Sequence, residues 1–312
     1  MRGRRVYGVF AAAALMFAAT ASFVPVGAAG LSAGKKLAAC ADGRPLGAFN
    51  ASLRDLGGLT NSDLKHANIE VGTQGDDTFT DTAGLNILCG LGGNDFVATL
   101  HDGDVFLGGA GNDTVSDFGD GAMFGGCFVG GDGNDQVINL DGGTFSGGSG
   151  NEFVAHANGG TFNGGSGNDS VYPSLALGTF NGGPGDDLVR AIGSGGTFNG
   201  GPGNDSVYAG ISTGGVFNGD ADGDRVSYFD GSGTFNGGDG SDVVVNLGVF
   251  APLDDSPTFN GGAGDDDVEN MDAGTFNGEV GHDSVKIMDG GTFNGGPGND
   301  SVGVLNGGTF NP

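Results

Sequence analysis

The chain has 312 residues, 71 of them glycine, no tryptophan and a net charge of −27. A surface this acidic repels nucleic acid and anionic membranes, which removes both as expected partners. Glycine at this level fits collagen, a disordered linker or a solenoid; clustered glycine pairs are not collagen's every-third spacing, and 23 phenylalanines on a long period are not disorder.

Residues 1–28 read as an export signal: Arg2, Arg4 and Arg5 form a basic start, 9–24 an apolar run, and Val26-Gly27-Ala28 a small-residue cleavage site, with cleavage after Ala21 as the alternative. The run is short and alanine-rich for a membrane anchor. Arg4-Arg5 leaves the general and twin-arginine routes both open. No second apolar run follows, so the mature protein is expected to be secreted and extracellular, free or wall-associated, with no membrane contact. Residues 29–71 are non-repetitive and are expected to cap the first coil, with a helix near Asn61–His66 started by Ser62 or Asn61 and a strand at Asn68–Val71. Cys40, Cys89 and Cys127 suit an oxidising compartment. Three pairings are open, of which one joining Cys40 to the repeats is favoured. No CxxC pair points to a metal cluster.

From Gly72 a nine-residue motif returns about every eighteen residues. Its clearest copies are GGAGNDTVS at 108–116, GGSGNDSVY at 164–172 and GGPGNDSVY at 200–208. Copies begin at Gly72, Gly90, Gly108, Gly130, Gly147, Gly164, Gly182, Gly200, Gly219, Gly237, Gly261, Gly278 and Gly295. The long steps place surface loops around 125–129 and 247–257. The motif resembles the calcium-binding nonapeptide of RTX (haemolysin-type) proteins. That resemblance implies an all-β fold over 72–312: a right-handed parallel β-roll, or β-solenoid, of about 13 coils with 17–18 residues each.

The two halves of each coil differ. The first carries an aspartate turn and a strand centred on valine, as at Val115, Val171, Val207 and Val302. The second reads Gly-Gly-Thr-Phe-Asn, with glycine where the aspartate would stand, as at Gly143, Gly160, Gly196, Gly274 and Gly291. Strand alternation then predicts a buried phenylalanine column (Phe145, Phe162, Phe180, Phe198, Phe217, Phe235, Phe259, Phe276, Phe293, Phe310) facing a valine column, in a rod about 60 Å long.

Calcium takes hard oxygens in a tolerant geometry, and glycine lets a turn aim its carbonyls at one point. In the resembling family each ion lies between coils, held by carbonyls and by the aspartates of successive turns. Carried over by position, the ligands are Asp77, Asp95, Asp113, Asp135, Asp169, Asp187, Asp205, Asp224, Asp242, Asp266, Asp283 and Asp300. The column is expected to falter at Glu152, at the 219–227 copy where Asp222 replaces a glycine, and at the 24-residue step before Gly261. Because the second half-coil lacks the aspartate, ions are expected along one edge only, about 8–11 of them, apart from Asp102 and Asp104 in the first coils. Sites of this type bind at about 0.1–1 mM, which couples folding to extracellular calcium.

Enzyme activity is not expected. The 43 residues before the roll are too few for a catalytic domain, and the four histidines (His66, His101, His156, His282) are isolated. There is no HExxH or GxSxG. His282 reads as a solvated substitution. The expected role is structural or a cell-surface interaction. The alternative is surface binding through the Thr/Asn rows (Thr144 to Thr309, Asn163 to Asn311), which look like the ice-binding face of antifreeze β-solenoids. Coil-to-coil ladders explain the same rows without a ligand. A polysaccharide is a further partner that no residue singles out, and the strand at Phe310 is expected to permit self-association.

Overall fold

The computed structural model describes residues 32–41, 53, 59–119, 126–248 and 256–312; the export signal expected at 1–28 lies outside them. Within this range the chain winds as a two-sheet parallel β-solenoid of about thirteen turns. Odd-numbered strands, from β1 (Asn68–Val71) to β27 (Thr309–Asn311), form a 14-stranded sheet. Even-numbered strands, from β2 (Thr78–Phe79) to β26 (Ser301–Leu305), form a 13-stranded sheet. Each strand pairs in parallel with the strand one coil away, so like stacks on like: Thr161 on Thr179, Phe162 on Phe180, Asn163 on Asn181.

The long steps do not disturb this register. Phe106 pairs with Phe128 across the first, and Phe235 with Phe259 across the second. The loop expected at 125–129 is corrected in part: Cys127–Asp132 is a strand, because Cys127-Phe128-Val129 repeats the apolar Val105-Phe106-Leu107 one coil before.

The phenylalanine column forms as expected and begins earlier, at Phe106 and Phe128. From Phe128 to Phe293 successive ring centroids lie 4.6–4.9 Å apart and the planes differ by 4–7°. The rings thus stack face to face, one per coil, at the spacing of neighbouring strands. The valine column faces these rings, buried from Val97 to Val285. A third column was not foreseen: Leu100, Phe118, Leu140, Ala157, Ile192, Phe229, Leu247, Met271 and Met288, all buried. These stand three residues after each valine, where the strand bends towards the next turn and strict alternation gives way.

The helices α1 (Ala33–Cys40) and α2 (Asn61–His66) belong to a second apolar cluster with Leu37, Leu64, Ile69, Ile87, Val105 and Cys127. The last four point outward from the first strands of the odd sheet, while Leu88, Phe106 and Phe128 between them point into the roll. The cap therefore lies on an outer face, where apolar residues replace the later Thr and Asn. The α2 N-cap is Thr60, not Ser62 or Asn61: Asp63 N–H donates to Thr60 Oγ1 at 3.2 Å and Thr60 N–H to Asp63 Oδ2 at 2.7 Å, a reciprocal capping box. The disulfide Cys40–Cys89 ties α1 to β3 (Asn86–Gly92), leaving Cys127 a buried thiol. Closing a loop of 49 residues removes denatured-state freedom equivalent to about 4 kcal/mol.

Candidate metal centre

The aspartate turns line one edge of the roll, where each odd strand hands over to the next even one. Two hydrogen-bonded ladders shape them. At the fifth motif position the side chain accepts from the next coil: Asn112 N–H donates to Asn94 Oδ1 at 2.8 Å, and Asn134 N–H to Asn112 Oδ1 at 2.7 Å. His282 is exposed, as a solvated substitution would be, and still takes part in this ladder, its Nδ1 accepting from Asn299 N–H at 3.0 Å. At the sixth position the ladder runs the other way: Asp95 N–H donates to Asp113 Oδ1 at 2.8 Å, and Asp187 N–H to Asp205 Oδ1 at 2.7 Å.

That second ladder fixes one oxygen of each carboxylate and leaves the other alone. Oδ2 of Asp95, Asp113, Asp135, Asp169, Asp187, Asp205, Asp224, Asp242, Asp266 and Asp283 is buried without a hydrogen-bond partner. An unpaired buried carboxylate oxygen is costly, so a column of them calls for a compensating charge. Each faces the first glycine of its own turn. A Cβ placed on Gly108 would lie 2.0 Å from Asp113 Oδ2 and 2.8 Å from the Gly130 carbonyl oxygen of the next coil. Glycine is required there because oxygens from two successive coils converge on the space a side chain would fill.

Burial raises the acids along the column, and neighbouring carboxylates add to it. Asp95 and Asp242 are pushed up to about 6 and Asp113, Asp205 and Asp266 to about 7. Asp135, Asp187 and Asp224 reach about 8. Asp169 and Asp283 also rise through burial.

The structure brings ten of the twelve predicted residues into one environment and sets the two end residues apart. Asp77 Oδ2 already accepts from Thr73 N–H at 2.6 Å, and Asp300 is only half-buried while accepting from Asp283 N–H at 3.0 Å. Glu152 does break the pattern: neither carboxylate oxygen has a hydrogen bond of ordinary geometry, and burial beside Asp169 pushes its acid up to about 10. The other two expected faults are absent from the ladder. Asp224 accepts from Asp205 N–H at 2.8 Å despite Asp222, whose φ of 72° does the work of the missing glycine. Asp242 N–H reaches Asp266 Oδ1 at 2.8 Å across the 24-residue step.

The opposite edge is closed by backbone. Gly160 has φ 74°, and a Cβ there would lie 2.7 Å from the Gly143 carbonyl oxygen, so coils touch with no carboxylate between them. The first coils are the exception. There Asp81, His101 and Asp104 bring ligand atoms within 4.8 Å of one another, with Asp81 on His101 Nδ1 and Asp104 Oδ1 accepting from Asn86 N–H at 2.7 Å. Asp104 stands in the turn where the sequence already showed acids; Asp81 and His101, one coil apart, had no motif to mark them.

No family model matches the chain, and no curated protein matches it in sequence. In structure it is similar to a hyperactive, Ca2+-dependent, beta-helical antifreeze protein from an Antarctic bacterium, solved by X-ray crystallography, with a TM-score of 0.50 and 22% identity. The match covers 79% of this chain and 86% of that one, and it supports the solenoid fold.

Proposed function

We propose that this chain is a secreted, non-enzymatic calcium-binding β-roll of the RTX type, with a structural or cell-surface role and folding coupled to extracellular calcium. The observation that carries the reading is the column of buried carboxylates, each with one oxygen held and one unpartnered, along a single edge. Oxygen-only donors from carboxylate and carbonyl suit a hard divalent cation, and the Ca2+ dependence of the structural neighbour agrees. Asp95 to Asp283 hold the ions in this reading; bound calcium supplies the positive charge that keeps their buried carboxylates ionised.

Calcium titration of the refolded protein should count about 8–11 ions, since ten aspartates share the orphaned geometry. Asp205→Asn gives the sharper test. Its amide oxygen keeps the acceptor for Asp187 N–H while the charge is lost. In chelator the variant should melt no lower than the parent; in calcium it should melt lower and bind at least one ion fewer. A variant that loses stability equally in both conditions would make the column a hydrogen-bonded turn ladder and nothing more.

A second reading is favoured by one observation, the unbroken like-on-like register of the odd sheet. Its Thr row and Asn row flank the phenylalanines on the outer face, both half-exposed. The Asn side chains are tied to each other, Asn199 Nδ2 donating to Asn181 Oδ1 at 2.7 Å, so the ladder explanation holds for them. The structural neighbour is an antifreeze protein. Thermal hysteresis measured in calcium decides it: activity that drops on replacing Thr161 and Thr197 with lysine supports ice binding, and no hysteresis in the parent removes it.

A further inference from the structure

The outer face of the even sheet carries one panel unlike the rest. Its strands read apolar-inward at their second and fifth positions and present the others to solvent. In most coils those outward residues are small or polar. Over β12 (Ser170–Val171), β14 (Leu188–Ile192), β16 (Ser206–Ile211) and β18 (Arg225–Phe229) they, with the flanking Tyr172, include Leu188, Arg190, Tyr208, Arg225 and Tyr228. Beyond Tyr7 in the leader, these three are the chain's only tyrosines.

The rings are exposed: Tyr208 by 64%, Tyr172 by 51% and Tyr228 by 41%. Register puts Tyr172, Arg190 and Tyr208 side by side on consecutive coils, because Val171 pairs with Val189 and Val189 with Val207. The Arg190 guanidinium lies over the Tyr172 ring, 5.0 Å from its centroid, which holds both side chains in place. Beside Tyr208 the ladder slips by one residue: Ala191 faces Gly210 rather than Ala209, leaving a shallow depression lined mostly by small residues, with Ile211 and Asp230 among them.

The charge is equally local. No outward residue of this sheet from Phe153 to Asn246 is acidic, in a chain with 38 acids. Arg190 and Arg225 are the only arginines after residue 54, and among the described residues neither has a carboxylate within salt-bridge distance. An arginine left unpaired beside exposed tyrosines has a guanidinium fork open to a ligand carboxylate. Tyrosine offers a rigid amphipathic face at little entropic cost. Flat apolar faces and carboxylates alternate along one class of polymer.

We propose that this panel docks an acidic polysaccharide, a chain containing uronic acid residues, with pyranose faces on Tyr208 and Tyr228 and uronate carboxylates on Arg225 and on Arg190, which Tyr172 holds in place. It lies on a different face from the Thr/Asn rows, borders the calcium edge where Arg225 follows Asp224, and does not rest on either reading.

The test uses the full mature chain in calcium, with a short hyaluronate oligosaccharide as the uronate probe and a chitin oligosaccharide of equal length as the neutral one, followed by calorimetry. Hyaluronate should bind and the chitin probe should not. Arg190→Gln with Arg225→Gln, and separately Tyr208→Ala, should each weaken hyaluronate about tenfold or more. Circular dichroism and calcium count should be unchanged in each, since all three side chains are on the surface. Tyr208→Phe, which keeps the ring, should retain binding. Equal binding of the neutral probe, binding that survives loss of both arginines, or no binding by a folded parent overturns the proposal.

Discussion

Chelating calcium from the folded protein is expected to lower its melting temperature by several tens of degrees. At about 1 mM calcium a site of about 0.1 mM adds roughly 1.4 kcal/mol, so ten such sites together match the whole stability of an ordinary domain. The pH dependence separates this from a general salt effect. Without a cation Asp113, Asp205 and Asp266 stand at about 7 and Asp135, Asp187 and Asp224 at about 8, against an ordinary value of 3.8. An acid raised by folding contributes stability that is complete below its unfolded value and is lost as pH rises through its folded one. The chelated protein should therefore melt highest near pH 4 and progressively lower towards pH 8. Calcium competes with those protons, so its stabilising effect should be small at pH 5 and largest near pH 8. Identical melting curves with and without chelator at pH 8 would end the calcium reading.

Phe198→Ala should cost about 3–5 kcal/mol, the loss usual for a large aromatic removed from a packed core. Phe198 is fully buried, with ring neighbours at 4.9 and 4.8 Å on either side. Few other side chains can close that gap, because the coils above and below are fixed by their own ladders. In a solenoid each coil leans only on its neighbours, so the damage should also divide the molecule. Hydrogen exchange should rise around 180–217 while coils at either end keep their protection, and the thermal transition should broaden into two steps. The outward Thr197→Ser in the same strand serves as control, with an expected change within about 0.5 kcal/mol. A Phe198→Ala protein that melts like the parent would mean the ring column is not what binds coil to coil.

The period made the architecture legible, because each repeated position maps to one column in space. Phe162 and Val171 could be placed on facing columns from spacing alone, and Asp169 on an edge. Phe106 and Phe128 escaped because their flanking residues are apolar rather than Thr and Asn: the cap covers them, so the visible Thr-Phe-Asn signature is absent. The Leu100 and Phe118 column escaped because its three-residue offset from valine violates the alternation of a straight strand. At the candidate site the sequence marked the carboxylates but not their division of labour. That Asp113 spends Oδ1 on Asp95 N–H and keeps Oδ2 free follows from the stagger between coils, which no single motif copy contains. The panel of Tyr172, Arg190 and Tyr208 was invisible for a related reason: its members lie eighteen residues apart and meet only through register.

Stacking of like on like also governs how such a molecule can change in size. A tandem duplication of one eighteen-residue unit would add one ring, one valine, one carboxylate turn and one Thr–Asn pair, each arriving beside an identical neighbour with no contact elsewhere to redesign. A duplication that is not a whole coil would shift every later column off its partners, whereas coils one residue shorter or longer keep them, as Phe145 to Phe162 and Phe198 to Phe217 do. Growth by whole coils is thus open and growth by fragments is closed, except at the two long steps, across which Phe106 still pairs with Phe128 and Phe235 with Phe259. Length and the number of carboxylate turns would then rise together, one turn for each new coil.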